Sequence, residues 1–111
     1  MNEYYGFEID PLGRVLSYRC RHYRNFDFAW DPPPGFSARG VIRPGGYTVK
    51  CAIPLDFLRD FTHEDGAIYF GAYRAEFSRK DGKTIENWLT WKDPLTATPD
   101  FHVPASLGKL K

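Results

Sequence analysis

The feature that most constrains this chain is an alternation of apolar and polar residues with a period of two, cut at short intervals by Gly, Pro and Asp turn signals. That period puts successive side chains on opposite faces of a strand, so the chain is built for sheets rather than helices. Tyr5, Phe7 and Ile9 alternate with Gly6 and Glu8, and Asp10-Pro11-Leu12-Gly13 supplies a turn. Val15 to Arg21 resumes the strand, with Leu16, Tyr18 and Cys20 on one face. Asn25 to Trp30 sets Phe26, Phe28 and Trp30 on a single face, and Asp31-Pro32-Pro33-Pro34-Gly35 ends it, because prolines cannot donate to a ladder.

Phe36 to Ile42 and Tyr47 to Ile53 flank a Pro44-Gly45-Gly46 turn. Only Pro54 to Phe61 breaks the period: Leu55 to Leu58 is a step of three and Phe57 to Phe61 a step of four, with Pro54 suited to a first helical turn. Ile68 to Ser78 predicts the longest strand. Lys80-Asp81-Gly82-Lys83 carries a hairpin signature, and Asn87 to Trp91 is its return strand. After a proline-rich tail containing Pro94, Pro99 and Pro104, a last short strand falls at Leu107 to Leu110. The expected architecture is all-β, an antiparallel β-sandwich of immunoglobulin-like or jelly-roll-like type with one short helix, in a single domain over residues 1–111.

Composition narrows the function. A formal net charge of +1 argues against a polyanion partner, because nucleic-acid binding draws on concentrated Lys and Arg. Arg14, Arg19, Arg21 and Arg24 cluster, but within a strand pattern. No run approaches the roughly 18 apolar residues that span a bilayer, so no membrane partner is expected, and Met1-Asn2-Glu3-Tyr4 lacks signal-peptide character. Cys20 and Cys51 both fall in strand patterns and are expected as buried thiols ahead of a disulfide.

Catalytic motifs are missing: there is no phosphate loop, nucleophile elbow or His-Glu-x-x-His helix, and no catalytic residue or metal ligand is assigned. His22, His63 and His102 form no local pattern, and the adjacent acids Glu64 and Asp65 sit in a Gly-terminated turn where solvation is the ordinary outcome. No cofactor is expected. The loop acids Asp27, Asp31, Glu64 and Asp65 are candidates for a calcium site and nothing stronger.

The richest chemistry lies between Arg74 and Trp91. Arg74 and Glu76 share a strand face with Ile68, Phe70 and Ala72, so one face passes from apolar to charged. Glu86, Asn87, Trp88 and Trp91 follow across the hairpin. Sugar recognition needs a flat aromatic surface for pyranose C–H groups and planar polar side chains for hydroxyls, and both are here. Trp88 and Trp91 are three residues apart, so a regular strand turns them to opposite faces; Trp91 is the favoured platform and Trp88 the core or rim residue. An Arg74 to Glu76 ion pair on solvent explains the same charges equally well.

Several segments together resemble the family 9-like carbohydrate-binding modules. Tyr5-x-Phe7-Glu8-Ile9-Asp10-Pro11-Leu12-Gly13 resembles the family's strand and turn, and Gly46-Tyr47-Thr48-Val49-x-x-Ala52-Ile53-Pro54 followed by Leu55-Asp56-Phe57-Leu58 resembles its Ala-Ile-Pro block. Tyr73-Arg74-Ala75-Glu76, Thr90-Trp91 and the closing Phe101-His102-Val103-Pro104-Ala105-Ser106-Leu107-Gly108-Lys109-Leu110 complete the match, with Leu107 in place of Phe.

The resemblance implies a noncatalytic module in a secreted or periplasmic protein, binding the end of a poly- or oligosaccharide. It makes Trp91 one wall, Arg74 and Asn87 hydroxyl partners, and Arg14 or Arg19 further ones; Glu76 and Trp88 stand beside them as candidate binding residues from the reading of the strand faces. In that family a second Trp wall comes from a region ahead of the Tyr5 to Gly13 block, and this sequence starts almost at that block. A sandwich lacking those strands exposes edges and apolar faces, so a homodimer or a strand-exchanged pair is expected. The competing reading is a structural or interaction domain whose aromatic surface meets a second copy or a protein partner. A haem-binding branch of similar sandwiches uses Met and His ligands, but the only Met here is Met1.

Overall fold

Short-range chemistry accounts for the first hairpin. The Asp10 carboxylate accepts the Leu12 and Arg14 amides at 2.9 Å each, and Gly13 takes a φ of +83° that closes the turn. In the computed structural model, which describes residues 3–98, 100, 102 and 107–110, this turn joins β1 (Glu3–Ile9) to β2 (Val15–Arg21). The elements that follow are β3 (Phe26–Asp27), β4 (Ser37–Arg43), β5 (Gly46–Ala52), α1 (Leu55–Arg59), β6 (Ile68–Phe70), β7 (Tyr73–Lys80), β8 (Lys83–Thr90) and β9 (Gly108–Leu110). Every strand pair is antiparallel, which makes the class all-β with one short helix. No helix among the described residues is long and apolar enough to cross a membrane. Pro99, Phe101 and residues 103–106 of the tail and of the closing block lie outside the described residues.

The chain divides into two compact units, Met1–Phe61 and Thr62–Lys111. In the first, β1, β2 and β3 form one sheet in that order, and β4 pairs with β5. Alternation gives the β1–β2 pair two aromatic faces. On one, Tyr5 and Phe7 meet Trp30 and Phe57, with Phe36 stacked on Phe7 at 4.6 Å and Phe61 edge-on to Tyr5 at 5.2 Å. On the other, Tyr18 packs edge-on to Tyr4, Phe26 and Phe28, and is only 6% exposed. Such ring pairs add to the ordinary gain from removing aromatic area from water.

The expected Asn25 to Trp30 strand is corrected to the two residues of β3. Asp27 causes the break: its carboxylate accepts the Ala29 amide at 3.0 Å, bending the chain out of the ladder. Phe26 and Phe28 therefore stack on each other at 5.3 Å beside Tyr18, while Trp30 crosses to the Tyr5 and Phe7 face. The helix is also shorter than expected. The Pro54 carbonyl receives the Phe57 and Leu58 amides, and the Phe61 amide closes a turn onto the Leu58 carbonyl.

In the second unit the expected single strand from Ile68 to Ser78 is two strands with different partners, β6 pairing with β9 and β7 with β8. The switch falls at Gly71, where the Tyr73 ring folds over the backbone and occupies the space a Cβ would need. The hairpin turn beyond follows its sequence, but the return strand expected at Asn87 to Trp91 is corrected to Lys83–Thr90, because a two-residue turn starts the ladder at once. Asp81 and Gly82 both take positive φ, 52° and 74°, the two-residue turn whose twist matches the flanking strands.

Both cysteines are free thiols, but only Cys20 is buried; Cys51 is exposed, which corrects the expectation for it. Its cross-strand neighbour is Ala38, too small to cover it. Cys20 is fully buried and its Sγ lies 3.2 Å from the His22 carbonyl oxygen. A thiol reagent is therefore expected to label Cys51 in the native chain and Cys20 only after unfolding. Labelling of both at one rate, or of neither, contradicts these positions.

Candidate functional site

The Asp81-Gly82 turn pairs Lys80 with Lys83, and counting back along the ladder sets Ser78 opposite Ile85, Glu76 opposite Asn87 and Arg74 opposite Leu89. Residues directly opposite share a face, so Arg74, Glu76 and Asn87 stand side by side on one face of the β7–β8 hairpin. The Arg74 Nε and a Glu76 carboxylate oxygen are 2.6 Å apart, and both side chains are partly exposed. A guanidinium, a carboxylate and an amide in one row offer donors and acceptors in planar forks, the groups that match vicinal hydroxyls.

Trp88 is on the other face. It lies opposite Ala75 and meets Phe77 edge-on at 5.8 Å, so it does not join the row of Arg74, Glu76 and Asn87. Trp91 behaves differently. One step past β8 its amide donates to the Ala72 carbonyl at 2.9 Å, continuing the register, and alternation then gives it the parity of Leu89 and Asn87.

Long-range support holds the Trp91 ring. A Cβ at position 108 would stand 2.7 Å from its Cη2 and Cζ3 atoms, so the indole lies on the bare backbone of Gly108. Phe70, which pairs with Gly108, sits 6.2 Å away in a tilted contact. Trp91 is still 52% exposed. Backbone and side-chain bonds brace the segment: the Thr90 hydroxyl donates to the Lys92 carbonyl at 2.7 Å, and the Lys92 ammonium donates to the Leu107 carbonyl at 3.1 Å.

Comparison with protein-family models, with curated proteins and with solved structures finds no match for this chain.

Arg19 belongs to the first unit, where it lies opposite Tyr5 in the sheet and its guanidinium pairs with Asp27 at 3.2 Å. Arg14 is held by Asp10 at 2.5 Å. Two of the four loop acids, Asp27 and Asp65, have structural partners too. Asp27 holds Arg19 and the Ala29 amide, and Asp65 accepts the Ala67 amide at 3.0 Å and pairs with Lys109 at 2.5 Å. Among the described residues no three His, Cys, Asp or Glu side chains converge to hold a metal ion. A shallow recess lined by His63, Glu64, Asp65, Tyr69 and Lys109 contains none of the expected sugar-site residues, and two of its charges, Asp65 and Lys109, pair with each other.

Sequence reasoning overlooked Gly108 and Phe70 as supports of Trp91, since a contact between β6 and β9 leaves no local signal. It also overlooked that Glu76 faces Asn87, although the two-residue turn makes that countable.

The Asp65–Lys109 pair ties β9, and with it Gly108, to the segment before β6. The hydrogen bond from Lys109, then the Ala67 amide, holds the Asp65 carboxyl below its usual range, while Asp65 raises the Lys109 ammonium. A depressed carboxyl stabilises the fold above the unfolded Asp value of about 3.9 and ceases to do so as pH falls through its folded value. The raised ammonium stabilises below about 10.4 and ceases to as pH rises through its folded value. Urea midpoints followed by Trp fluorescence are expected to fall below pH about 4, and Asp65→Asn is expected to lower the neutral-pH midpoint and flatten that fall. An unchanged acid limb in Asp65→Asn contradicts the role given to the pair.

Proposed function

We propose that this chain is a noncatalytic carbohydrate-binding domain whose ligand lies on the Arg74, Glu76 and Asn87 face of the β7–β8 hairpin, against Trp91. The observation that carries the reading is the shared parity of those residues, a half-exposed indole one register step beyond a row of planar polar groups. A pyranose presents C–H groups on one side and hydroxyls around its rim, so a ring laid on Trp91 turns its hydroxyls toward Arg74, Glu76 and Asn87. The resemblance of the Tyr73-Arg74-Ala75-Glu76 and Thr90-Trp91 segments to family 9-like modules supports the same assignment, and a secreted or periplasmic setting goes with it.

Binding suits this face better than hydrolysis. Glycoside cleavage ordinarily uses two carboxyl groups flanking the scissile bond. Glu76 is the one acid on this face of the hairpin, and Glu86, opposite Phe77, points to the other.

Titration with xylo- and cello-oligosaccharides, read by Trp fluorescence, is expected to give a saturable change that Trp91→Ala removes. Arg74→Ala and Asn87→Ala are each expected to weaken the affinity by about tenfold, the loss of one good hydrogen bond to a hydroxyl. No response across a broad panel of soluble glycans overturns the reading.

A further inference from the structure

The near-neutral balance of the whole chain conceals a local concentration of charge in the β4–β5 hairpin. Between Asp31 and Asp56 the sequence holds Arg39, Arg43 and Lys50 and no acid. The register gathers all three. Arg39 lies opposite Lys50, Val41 opposite Thr48 and Arg43 opposite Gly46, and alternation puts these residues on one face of the two strands.

Contact with the first hairpin tells the two faces apart. A Cβ at position 40 would collide with the Pro11 carbonyl, so the Gly40 face, shared with Ala38, Val49 and Cys51, turns toward the Pro11 to Gly13 turn. The Arg39 face turns away from it. Arg39, Val41, Arg43 and Lys50 are all exposed.

Like charges directly across a ladder oppose the pairing of the strands that carry them. Among the described residues Arg39 and Lys50 have no ion pair to relieve this, and Arg43 donates to the neutral Thr48 hydroxyl at 2.6 Å. By contrast, Arg14, Arg19 and Arg59 in the same unit each meet a carboxylate. An anion laid on the Arg39 face removes the opposition and meets guanidinium forks that can hold it bidentately.

What lies between the cations narrows the occupant. Arg39 and Arg43 are four residues apart, about 13 Å along an extended strand, and Val41 and Thr48 fill the interval. This face of the hairpin has no aromatic ring on which bases of a single-stranded nucleic acid could stack, and three cations fall short of the phosphate contacts usual for a duplex. A chain of uronates fits better. Its ring C–H groups can lie on Val41 and a hydroxyl can meet Thr48, while carboxylates spaced along it reach Arg39 and Lys50 at one end and Arg43 at the other.

We propose that the outer face of the β4–β5 hairpin binds an acidic polysaccharide, a uronate chain lying along β4 with its carboxylates on Arg39, Lys50 and Arg43. This site belongs to the first unit and does not depend on the ligand assigned to the β7–β8 hairpin.

Calorimetric titration of the full chain with an oligogalacturonate is expected to show binding that weakens as salt rises and that Trp91→Ala leaves unchanged. Arg39→Glu and Lys50→Glu are each expected to weaken it by about tenfold or more, the loss of a charge-assisted contact. Arg39→Gln is expected to weaken binding as well while its urea midpoint stays level or rises, because it removes a like-charge pair; this separates lost recognition from lost folding. Absence of binding at low salt overturns the proposal, and so does binding that survives Arg39→Gln and Lys50→Gln together. Tighter binding of polyglutamate or of single-stranded oligothymidylate at equal charge also overturns it, since the face would then select another polyanion.

Discussion

The second unit depends on the register that the Asp81-Gly82 turn imposes on β7 and β8. With both residues at positive φ the loop holds two residues and no more, so Lys80 must face Lys83 and every later pair is determined. Because side chains alternate, that one choice sends Arg74, Glu76 and Asn87 to one face, and Phe77 and Trp88 to the other. A slip of one residue would exchange the two sets and dissolve the polar row. The chemistry available to this hairpin is thus decided at a turn that carries none of it.

The same register governs Trp91. Its amide bond to Ala72 extends the ladder past the point where β7 begins, and Gly71 lets the chain leave the β6–β9 pair for the β7–β8 pair at that junction. The indole then rests on Gly108. A larger residue at 108 would displace the ring from its support, so a glycine in a three-residue strand is as much part of the site as the tryptophan. In the first unit the organising force is different: aromatic rings cover both faces of β1 and β2, and on one of them Tyr4, Phe26 and Phe28 gather around the buried Tyr18.

Much of this was legible in the sequence where the physics is local. The Asp10 to Gly13 turn, the Pro44 to Gly46 turn, the Asp81-Gly82 hairpin and the helix after Pro54 all depend on residues that dictate backbone geometry within a few positions. So did the opposite orientation of Trp88 and Trp91, a consequence of spacing alone. Alternation misled where pairing changed under an unbroken pattern. Ile68 to Ser78 reads as one strand although its two halves bond different partners, and Asn25 to Trp30 alternates although the Asp27 carboxylate turns the chain. Cys51 and the Trp91 support were out of reach for a related reason: whether a side chain is covered depends on the size of a cross-strand neighbour, here Ala38 or Gly108.

The central claim is that one face of the β7–β8 hairpin, extended to Trp91, receives a sugar while the Trp88 face does not. The chain has three indoles, Trp30, Trp88 and Trp91, each giving its own N–H resonance. Nitrogen–proton correlation spectra recorded during addition of a xylo- or cello-oligosaccharide are predicted to move the Trp91 indole and the Asn87 side-chain amide together, with Trp88 stationary. Movement of Trp88 with Trp91 unperturbed, or no movement of any indole at saturating sugar, would contradict the account.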